Sequence, residues 1–278
     1  MVVCVGYATL DTIIAIPRHP EPDDRVVASE LVFAGGGAAA TAAVTLARLG
    51  VPASFMGAIG DDDAGAFIRE GLEREGVDVS ELRVVPGARS PRSTILVEGG
   101  NRAIISFAGT APQPELSTRA RDLCRSAEWV HVDHAGYAGA RALDGVRLSI
   151  DGGNPIPDLD LRGVALYGPT ERALRALFGD ARAALDAGAE LVVVTRGAEG
   201  SYALTGDGDA VDAPAYPVDV VSTLGAGDVF HGALLAQLVA DVSLAEALAR
   251  ANACAALSCR ALDGRSAIPT AQELWATT

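Results

Sequence analysis

The residues best suited to chemistry lie together in one stretch, residues 222–228 (Ser-Thr-Leu-Gly-Ala-Gly-Asp), which leads into an apolar segment. Glycines 225 and 227 permit backbone conformations that a Cβ excludes, so successive N–H groups at a helix start can point at one anion. A carboxylate at Asp228, in the first helical turn, would repel phosphate but could accept a proton from a hydroxyl that attacks it. The stretch therefore predicts an anion hole, formed by Gly225, Ala226 and Gly227, with Asp228 as the catalytic base beside it.

A helix with an ordinary acidic first turn would explain part of this stretch, but two motifs together point further. The residues from Gly225 to Asp228 resemble the C-terminal signature of the ribokinase/PfkB family of sugar kinases. Residues 35–44 (Gly-Gly-Gly-Ala-Ala-Ala-Thr-Ala-Ala-Val) resemble its N-terminal signature. They do not form a dinucleotide fingerprint, because Ala40 stands where the third glycine is needed. The resemblance implies that Asp228 is the base and that the glycine turn binds the transferred phosphate.

The resemblance also implies which residues meet each substrate. Those expected at the sugar are Asp11, Gly36, Gly37 and Thr41, with Thr41 in a place where many members have Asn. Arg102, in a lid strand, is a further candidate at the sugar: it is either a solvated strand charge or a contact to an anionic substituent. Those expected at the nucleotide are Thr195, Gly197, Gly200, Thr223, Asn252 and Gly264. Glu171 is the candidate for ordering the water shell of a magnesium ion, although the Asn of the family's Asn-x-x-Glu element is absent. Ser222 replaces the usual Asp, which weakens the case for a potassium requirement.

Alternating strand and helix patterns must position these residues. Short apolar runs are typical of buried parallel strands, and their alternation with helices predicts a doubly wound α/β sheet. The expected strands lie at residues 2–6, 129–133, 147–151, 165–167 and 191–195. Further strands at 13–16, 26–33, 92–97 and 102–107 are expected to form a small β-sheet lid, inserted at about 12–34 and 92–108 in a single ribokinase-like domain over 1–278. Phe230, Leu234 and Leu238 predict one buried helix face.

Composition excludes several partner classes. The net charge is −14, which argues against nucleic acid and against an anionic membrane surface. Half of the residues, 49%, are hydrophobic, so a large core is possible without disulfides. The four cysteines show no metal-ligand or Cys-x-x-Cys spacing and are expected to be reduced, in a cytoplasmic protein. Neither a signal peptide nor a run of about 18 apolar residues is seen.

We therefore predict an ATP- and Mg²⁺-dependent sugar kinase acting on a small ketose or pentose. Three alternatives stay open: a nucleoside kinase of the same family, a sulfosugar kinase, and a sugar-binding homologue without catalysis. Residues 35–44 and 228–234 resemble the sulfofructose-kinase branch, but a sulfonate needs a fixed cation and only Arg92 and Arg102 stand in suitable places. His231 either touches the substrate or orders its helix. By analogy with the family, a homodimer through the lid is expected.

Overall fold

The computed structural model describes residues 1–99, 101–112 and 115–277, which form three sheets and the helices that cover them. In chain order the strands are β1 (Val2–Val5), β2 (Thr9–Ala15), β3 (Glu30–Gly36), β4 (Ala53–Met56), β5 (Ala58–Gly60), β6 (Arg83–Val85), β7 (Arg92–Glu98), β8 (Asn101–Phe107), β9 (Trp129–Val132), β10 (Leu148–Asp151), β11 (Leu166–Gly168), β12 (Leu191–Thr195), β13 (Ser201–Thr205) and β14 (Ala210–Ala213). The helices are α1 (Ala38–Arg48), α2 (Asp63–Arg74), α3 (Thr118–Ser126), α4 (Tyr137–Arg141), α5 (Glu171–Leu177), α6 (Ala181–Asp186), α7 (Ala226–Val239), α8 (Leu244–Ser258) and α9 (Ala271–Thr277).

The main sheet has eight strands in the order β14-β13-β12-β11-β10-β9-β1-β4. The strands from β12 to β4 run parallel to one another, whereas β13 and β14 are antiparallel additions at one edge. This is the mostly parallel, doubly wound sheet that the sequence predicts. Parallel strands carry their ligand-binding residues beyond their carboxyl ends, so β9, β10, β11 and β12 present their last residues at one edge.

Two hydrophobic cores cover the two faces of this sheet. Successive residues of β1 alternate between them: Val2 and Cys4 belong to one core and Val3 and Val5 to the other. The first core includes buried residues of α1, α7 and α8, and the second includes buried residues of α3, α4, α5 and α6. A strand buried on both faces needs continuous apolar sequence, which is why β1 and β12 read as unbroken apolar runs.

Helix α7 is buried well beyond the face that its four-residue apolar spacing indicates. It is buried on every side from Val229 to Gln237, because it lies between α1 and α8. Gly232 permits the close approach of α1, since a Cβ there would lie 2.6 Å from the Ala42 carbonyl oxygen. The four-residue spacing of Phe230 and Leu234 therefore marks only part of the buried surface.

The small sheet has the order β3-β2-β7-β8 and its own cluster of Ile13, Ile95 and Val97. The strand expected at 26–33 in fact begins at Glu30 and continues to Gly36, because β3 pairs with β2 from Ala15↔Glu30 to Thr9↔Gly36. The strand expected at 13–16 likewise begins at Thr9. The β7–β8 hairpin is present with Glu98 paired to Asn101, while residue 100 of its expected turn lies outside the described residues.

The cysteines lie in the packed interior of the described part of the chain. Cys4, Cys124, Cys254 and Cys259 are all free and buried. Burial raises the pKa of the Cys254 thiol to about 12, so it stays protonated at neutral pH. None of the helices in the described ranges combines the length and apolarity needed to cross a bilayer.

Candidate active site

Residues far apart in the sequence meet where α7 begins. Arg265, in the loop before α9, donates to the Thr41 hydroxyl (3.1 Å) and to the Gly36 carbonyl (2.8 Å). The same guanidinium interacts electrostatically with Asp11 and Asp228. The structure thus brings together four residues that the sequence analysis assigned to the sugar or to catalysis. The residue that connects them, Arg265, was not among those predicted.

The glycine turn before α7 has the geometry of an anion site. Gly225 caps the helix in the left-handed region, with φ of 72°, and no side chain accepts from the first-turn N–H groups. Ala226 N donates to the Thr223 carbonyl oxygen at 3.4 Å, whereas the N–H groups of Gly227 and Asp228 have no acceptor within the helix, as at any helix N-terminus. A Cβ on Gly227 would meet no protein atom within 4 Å, so the helix start faces open space. An anion placed there would be bound by N–H groups and by the helix dipole.

Asp228 stands in the first turn of α7, partly accessible to solvent. Removal from bulk water raises the pKa of Asp228 to about 7, and the neighbouring carboxylates Asp151 and Asp133 act in the same direction. His231 and Arg265 oppose this rise. A carboxylate with a pKa near neutrality is a much stronger base than an ordinary aspartate, which suits proton abstraction from a hydroxyl.

A buried His–Asp pair lies beside this carboxylate. His231 Nε2 is 3.5 Å from Asp151 Oδ1, and both side chains are almost fully buried. Burial alone would lower the pKa of His231, but attraction to Asp151 overrides burial and raises it. Gly168 makes the fit possible, since a Cβ there would lie 2.3 Å from the His231 ring. His231, for which the sequence left two roles open, is thus packed within the protein and paired with Asp151.

The sugar side is built from β2 and the glycines that lead into α1. Asp11 lies within β2 and is buried, and its carboxylate accepts from the Thr9 hydroxyl at 2.6 Å. Burial raises the pKa of Asp11, against the effects of Thr9 and Arg265. Gly36 is required by this packing, because a Cβ would lie 2.0 Å from Asp11 Oδ2. Gly37 caps α1 with φ of 94° and packs against the Tyr7 carbonyl.

Asp133 holds this region together and was missed by the sequence analysis. Its Oδ2 accepts from Tyr7 N (2.8 Å) and Ala39 N (3.2 Å), and its Oδ1 accepts from Ala135 N (2.8 Å) and Gly136 N (3.1 Å). One carboxylate thereby joins the end of β1, the start of α1 and the segment after β9. Asp133 directly follows β9, so its position at a strand end was the available signal.

The residues expected at the nucleotide phosphates lie at the end of β12. Thr195 N donates to Pro169 O (3.1 Å), and a 3₁₀ turn over Gly197–Glu199 follows. Gly197 and Gly200 have φ of 58° and 87°, which favours glycine at both positions. A Cβ on Gly200 would also lie 2.2 Å from the Ala213 carbonyl oxygen. These glycines are therefore explained by backbone geometry, and their contact with phosphate stays a prediction.

The remaining predicted residues differ in how close they lie to the glycine turn. Gly264 packs against it, with its Cα 3.1 Å from the place of a Gly225 Cβ. Arg102 on β8 donates to the Thr223 hydroxyl at 2.5 Å and so ties the small sheet to this turn. Asn252 is instead bonded through Nδ2 to the Ala213 and Pro214 carbonyls, both at 3.0 Å. Its amide nitrogen thus fastens α8 to the end of β14, and its predicted place beside adenine stays untested.

Glu171 is the first residue of α5, and its carboxylate is engaged by an arginine of the same helix. Its Oε1 accepts from Arg175 at 2.9 Å, one turn later on the same helix. No group of three or more His, Cys, Asp or Glu side chains in the described ranges could hold a metal ion.

Comparison with known proteins identifies the family of this chain. The model of the pfkB family carbohydrate kinases matches residues 1–146 and 161–271. An ATP-dependent ribose-1-phosphate kinase of Halopiger xanaduensis is 33% identical, with 97% of this chain and 95% of that protein covered. An aminoimidazole riboside kinase of Salmonella typhimurium is 31% identical, with 86% of each chain covered.

Solved structures of kinases have the same fold as this chain. A ribokinase of Arabidopsis thaliana complexed with ribose and ATP superposes with a TM-score of 0.86 at 26% identity, covering 99% of this chain and 97% of that one. A nucleoside kinase of Methanocaldococcus jannaschii shares the fold, with a TM-score of 0.82 at 21% identity and coverage of 99% and 97%. The chain belongs to the pfkB family of carbohydrate kinases and is a phosphotransferase with a hydroxyl group as acceptor.

Proposed function

We propose that this chain is an ATP-dependent kinase that transfers the γ-phosphate to a hydroxyl of a small sugar of the ketose or pentose type. One observation carries the proposal. Asp228 stands next to the glycine turn of α7, and Arg265 interacts electrostatically with both Asp228 and Asp11. Base, anion turn and sugar-binding carboxylate thus belong to one site. The names of the relatives, two of which act on ribose derivatives, support this acceptor class.

In the proposed reaction, Asp11 and the backbone at Gly36 and Gly37 orient the sugar so that one hydroxyl points at Asp228. The hydroxyl oxygen attacks the γ-phosphorus, its proton passes to Asp228, and the bond to the departing ADP oxygen breaks. N–H groups of the turn from Gly225 to Gly227 stabilise the charge on the transferred group. Such positioning and electrostatic stabilisation supply most of the catalysis in phosphoryl transfer.

Magnesium is part of this proposal. When bound, Mg²⁺ would neutralise charge on the nucleotide phosphates. Glu171 is the residue proposed to reach its water shell, since only Oε1 of this carboxylate is engaged by Arg175 and the side chain is 35% exposed. The small sheet is proposed to act as a lid, because Arg102 already joins β8 to the turn before α7.

The test is turnover of Mg-ATP with a panel of acceptors: pentoses, ketohexoses, their phosphate esters, sulfosugars and nucleosides. ADP release that depends on one acceptor, together with the phosphorylated product, would support the proposal and name the substrate. Tight binding of a sugar without turnover on any acceptor would overturn it in favour of a sugar-binding protein without catalysis.

The pH profile of kcat/KM should report Asp228. We expect kcat/KM to rise with pH through about 7, because below that pH the carboxyl of the free enzyme holds a proton and cannot accept another. The charged groups facing it are Asp151 on β10, Asp133 beyond β9, His231 on α7 and Arg265.

Asp151→Asn is the matched variant for this profile. The Asn oxygen can still accept from Gly153 and His231, while the charge that raises the pKa of Asp228 is lost. The rise in kcat/KM should therefore move to lower pH. A wild-type profile that is flat between pH 5 and 8 would contradict the assignment of Asp228 as the titrating base.

We also propose a homodimer through the outer face of the small sheet. The strand register places Phe33, Thr12, Thr94 and Ile105 in one row across β3, β2, β7 and β8. Phe33 and Ile105 are 59% and 65% exposed, and Leu31 on the same face of β3 is 52% exposed. A contiguous apolar face of this kind on a soluble domain marks an interaction surface.

Sedimentation equilibrium should therefore give about twice the chain mass of 28.4 kDa for the wild type. The double variant Phe33→Asp with Ile105→Asp should sediment as single chains, because two buried charges per subunit would face a second apolar sheet. Leu177→Asp is the control, since Leu177 on α5 is 55% exposed and far from this face in the sequence and sheet order. A wild type that sediments at the single-chain mass at all concentrations would refute the dimer.

A further inference from the structure

Arg265 is a cation placed inside the protein without an acidic partner in contact. It is 8% exposed, and burial lowers the pKa of its guanidinium to about 10 despite the carboxylates Asp11 and Asp228 nearby. Burying a charge is costly unless the charge is paired or used. Arg48, in contrast, is paired bidentately with Glu75 at 2.7 Å for each bond. Within the described ranges, Arg265 makes no ion pair within 4 Å.

The hydrogen bonds of Arg265 leave one edge of the guanidinium free. Nε donates to the Thr41 hydroxyl and Nη2 to the Gly36 carbonyl. Nη1 has no acceptor in the described part of the chain, and it is not among the buried polar atoms that are sealed from solvent. An arginine nitrogen that is open to the site and held by two bonds at its other nitrogens is already oriented for a ligand.

The backbone around Arg265 leaves space for Nη1 and holds the loop that carries this arginine. A Cβ on Gly35 would lie 2.4 Å from Nη1, so only glycine leaves the guanidinium its place. On the other side, Asp263 Oδ1 accepts from the N–H groups of Arg265 and Ser266, each at 2.7 Å, which sets the loop. Gly264 in the same loop packs against the glycine turn of α7. Arg265 therefore lies between the sugar side and the anion turn.

We propose that Nη1 of Arg265 binds an anionic phosphate-type oxygen of the bound substrates, in the space between Asp11 and Asp228. This proposal rests on the proposed kinase function. The oxygen has two sources of the same chemistry: the phosphoryl group during transfer, or an anionic substituent carried by the sugar. Either role explains why a lone guanidinium is kept beside two carboxylates, because arginine matches phosphate geometry well. Arg265 also supplies the fixed cation that Arg92 cannot, since Arg92 is paired with Asp62.

The test compares Arg265→Gln and Arg265→Lys with the wild type on neutral sugars and on sugar monophosphates. If the oxygen belongs to the transferred group, kcat should fall about 100-fold or more on every acceptor. If it belongs to the sugar, KM should rise about 100-fold for sugar monophosphates alone. Arg265→Lys keeps the positive charge but lacks the planar guanidinium with its several N–H donors. It should therefore change the same kinetic constant as Arg265→Gln, by a smaller factor. Arg162→Gln removes an equal charge from a side chain that is 81% exposed and paired with Asp160, and it should change neither constant.

Binding of inorganic phosphate, measured by isothermal titration, separates this proposal from the function on which it rests. If the wild type phosphorylates no acceptor but binds phosphate, and Arg265→Gln abolishes that binding, the kinase proposal fails and the anion site stands. A folded Arg265→Gln variant with wild-type kinetics on all acceptors and unchanged phosphate binding would overturn the role of Arg265. If Arg265→Gln does not fold, the same readings apply to Arg265→Lys.

Discussion

Asp228→Asn should lower kcat for sugar phosphorylation by about 10²–10⁴-fold, the range that general-base catalysis contributes. The substitution keeps the size of the side chain in the first turn of α7 but removes its ability to accept a proton. The glycine turn is unchanged, so nucleotide and sugar should still bind. Loss of a negative charge near the phosphates should, if anything, favour nucleotide binding. Steady-state kinetics and equilibrium binding of the same variant check the two parts.

Asp228→Asn should also change the stability of the folded protein. The pKa of Asp228 is about 7 in the folded protein and 3.8 without these surroundings, so the native state holds a proton that the unfolded chain has already released. Stability from this group is therefore lost as pH rises from about 4 to about 7. Asp228→Asn removes that loss and should raise Tm at pH 8. Asp122→Asn on the surface of α3 is the control, and a variant at Asp228 that keeps wild-type kcat would show that another group is the base.

Asp133→Asn should destabilise the protein by about 2–5 kcal/mol. The carboxylate accepts four backbone N–H groups, two on each oxygen. An amide keeps only one oxygen, so its NH₂ group would face two N–H donors, and each buried donor left without an acceptor costs about 1–3 kcal/mol. Because Ala39 N lies at the start of α1, next to Gly37, KM for the sugar should rise as well. Chemical denaturation and steady-state kinetics measure the two effects.

Asp263→Asn is the matched control for this effect. Asp263 is also buried, but it accepts both of its N–H groups through Oδ1, which an amide oxygen can reproduce. We expect a loss below about 1 kcal/mol. Equal destabilisation by the two substitutions would mean that charge, rather than the number of acceptors, explains the cost.

The sequence predicted those parts of the fold that depend on residues close together in the chain, such as apolar runs and glycine turns. The apolar run at residues 191–195 is β12, which pairs in parallel with β11, another of the expected strands. The glycine turn and Asp228 were identified because the backbone requirement and the chemical group occupy adjacent positions. Strand ends in the small sheet were misplaced because pairing with β2, rather than composition, sets them.

The parts of the site that were not predicted come from single polar residues. Arg265 reaches Thr41 across 224 positions of sequence, and Asp133 reaches Tyr7 across 126. Arg265 stands in no repeated or spaced pattern that distinguishes it from a solvated charge, and the only local signal for Asp133 is its position directly after β9. The pair of Asp151 and His231 is similar, since it depends on the β10 end lying beneath α7 and on the missing side chain at Gly168. Such contacts are properties of the packed chain.

The separate cluster of Ile13, Ile95 and Val97 has a consequence for how this enzyme can diversify. Residues that contact through a shared core influence one another, whereas distant, independent sites change stability almost additively. The groups proposed to handle the phosphoryl group stand at the start of α7, in the large core, while β2 and β7 supply the small cluster, on which Val32 and Ala34 of β3 and Leu224 of the glycine turn also pack. Substitutions in β2, β3 and β7 that spare Leu224 and the Arg102–Thr223 hydrogen bond should therefore change stability independently of substitutions in α7. The sequence of the small sheet can thus vary separately from that of α7, except where Leu224 and Arg102 join the two parts.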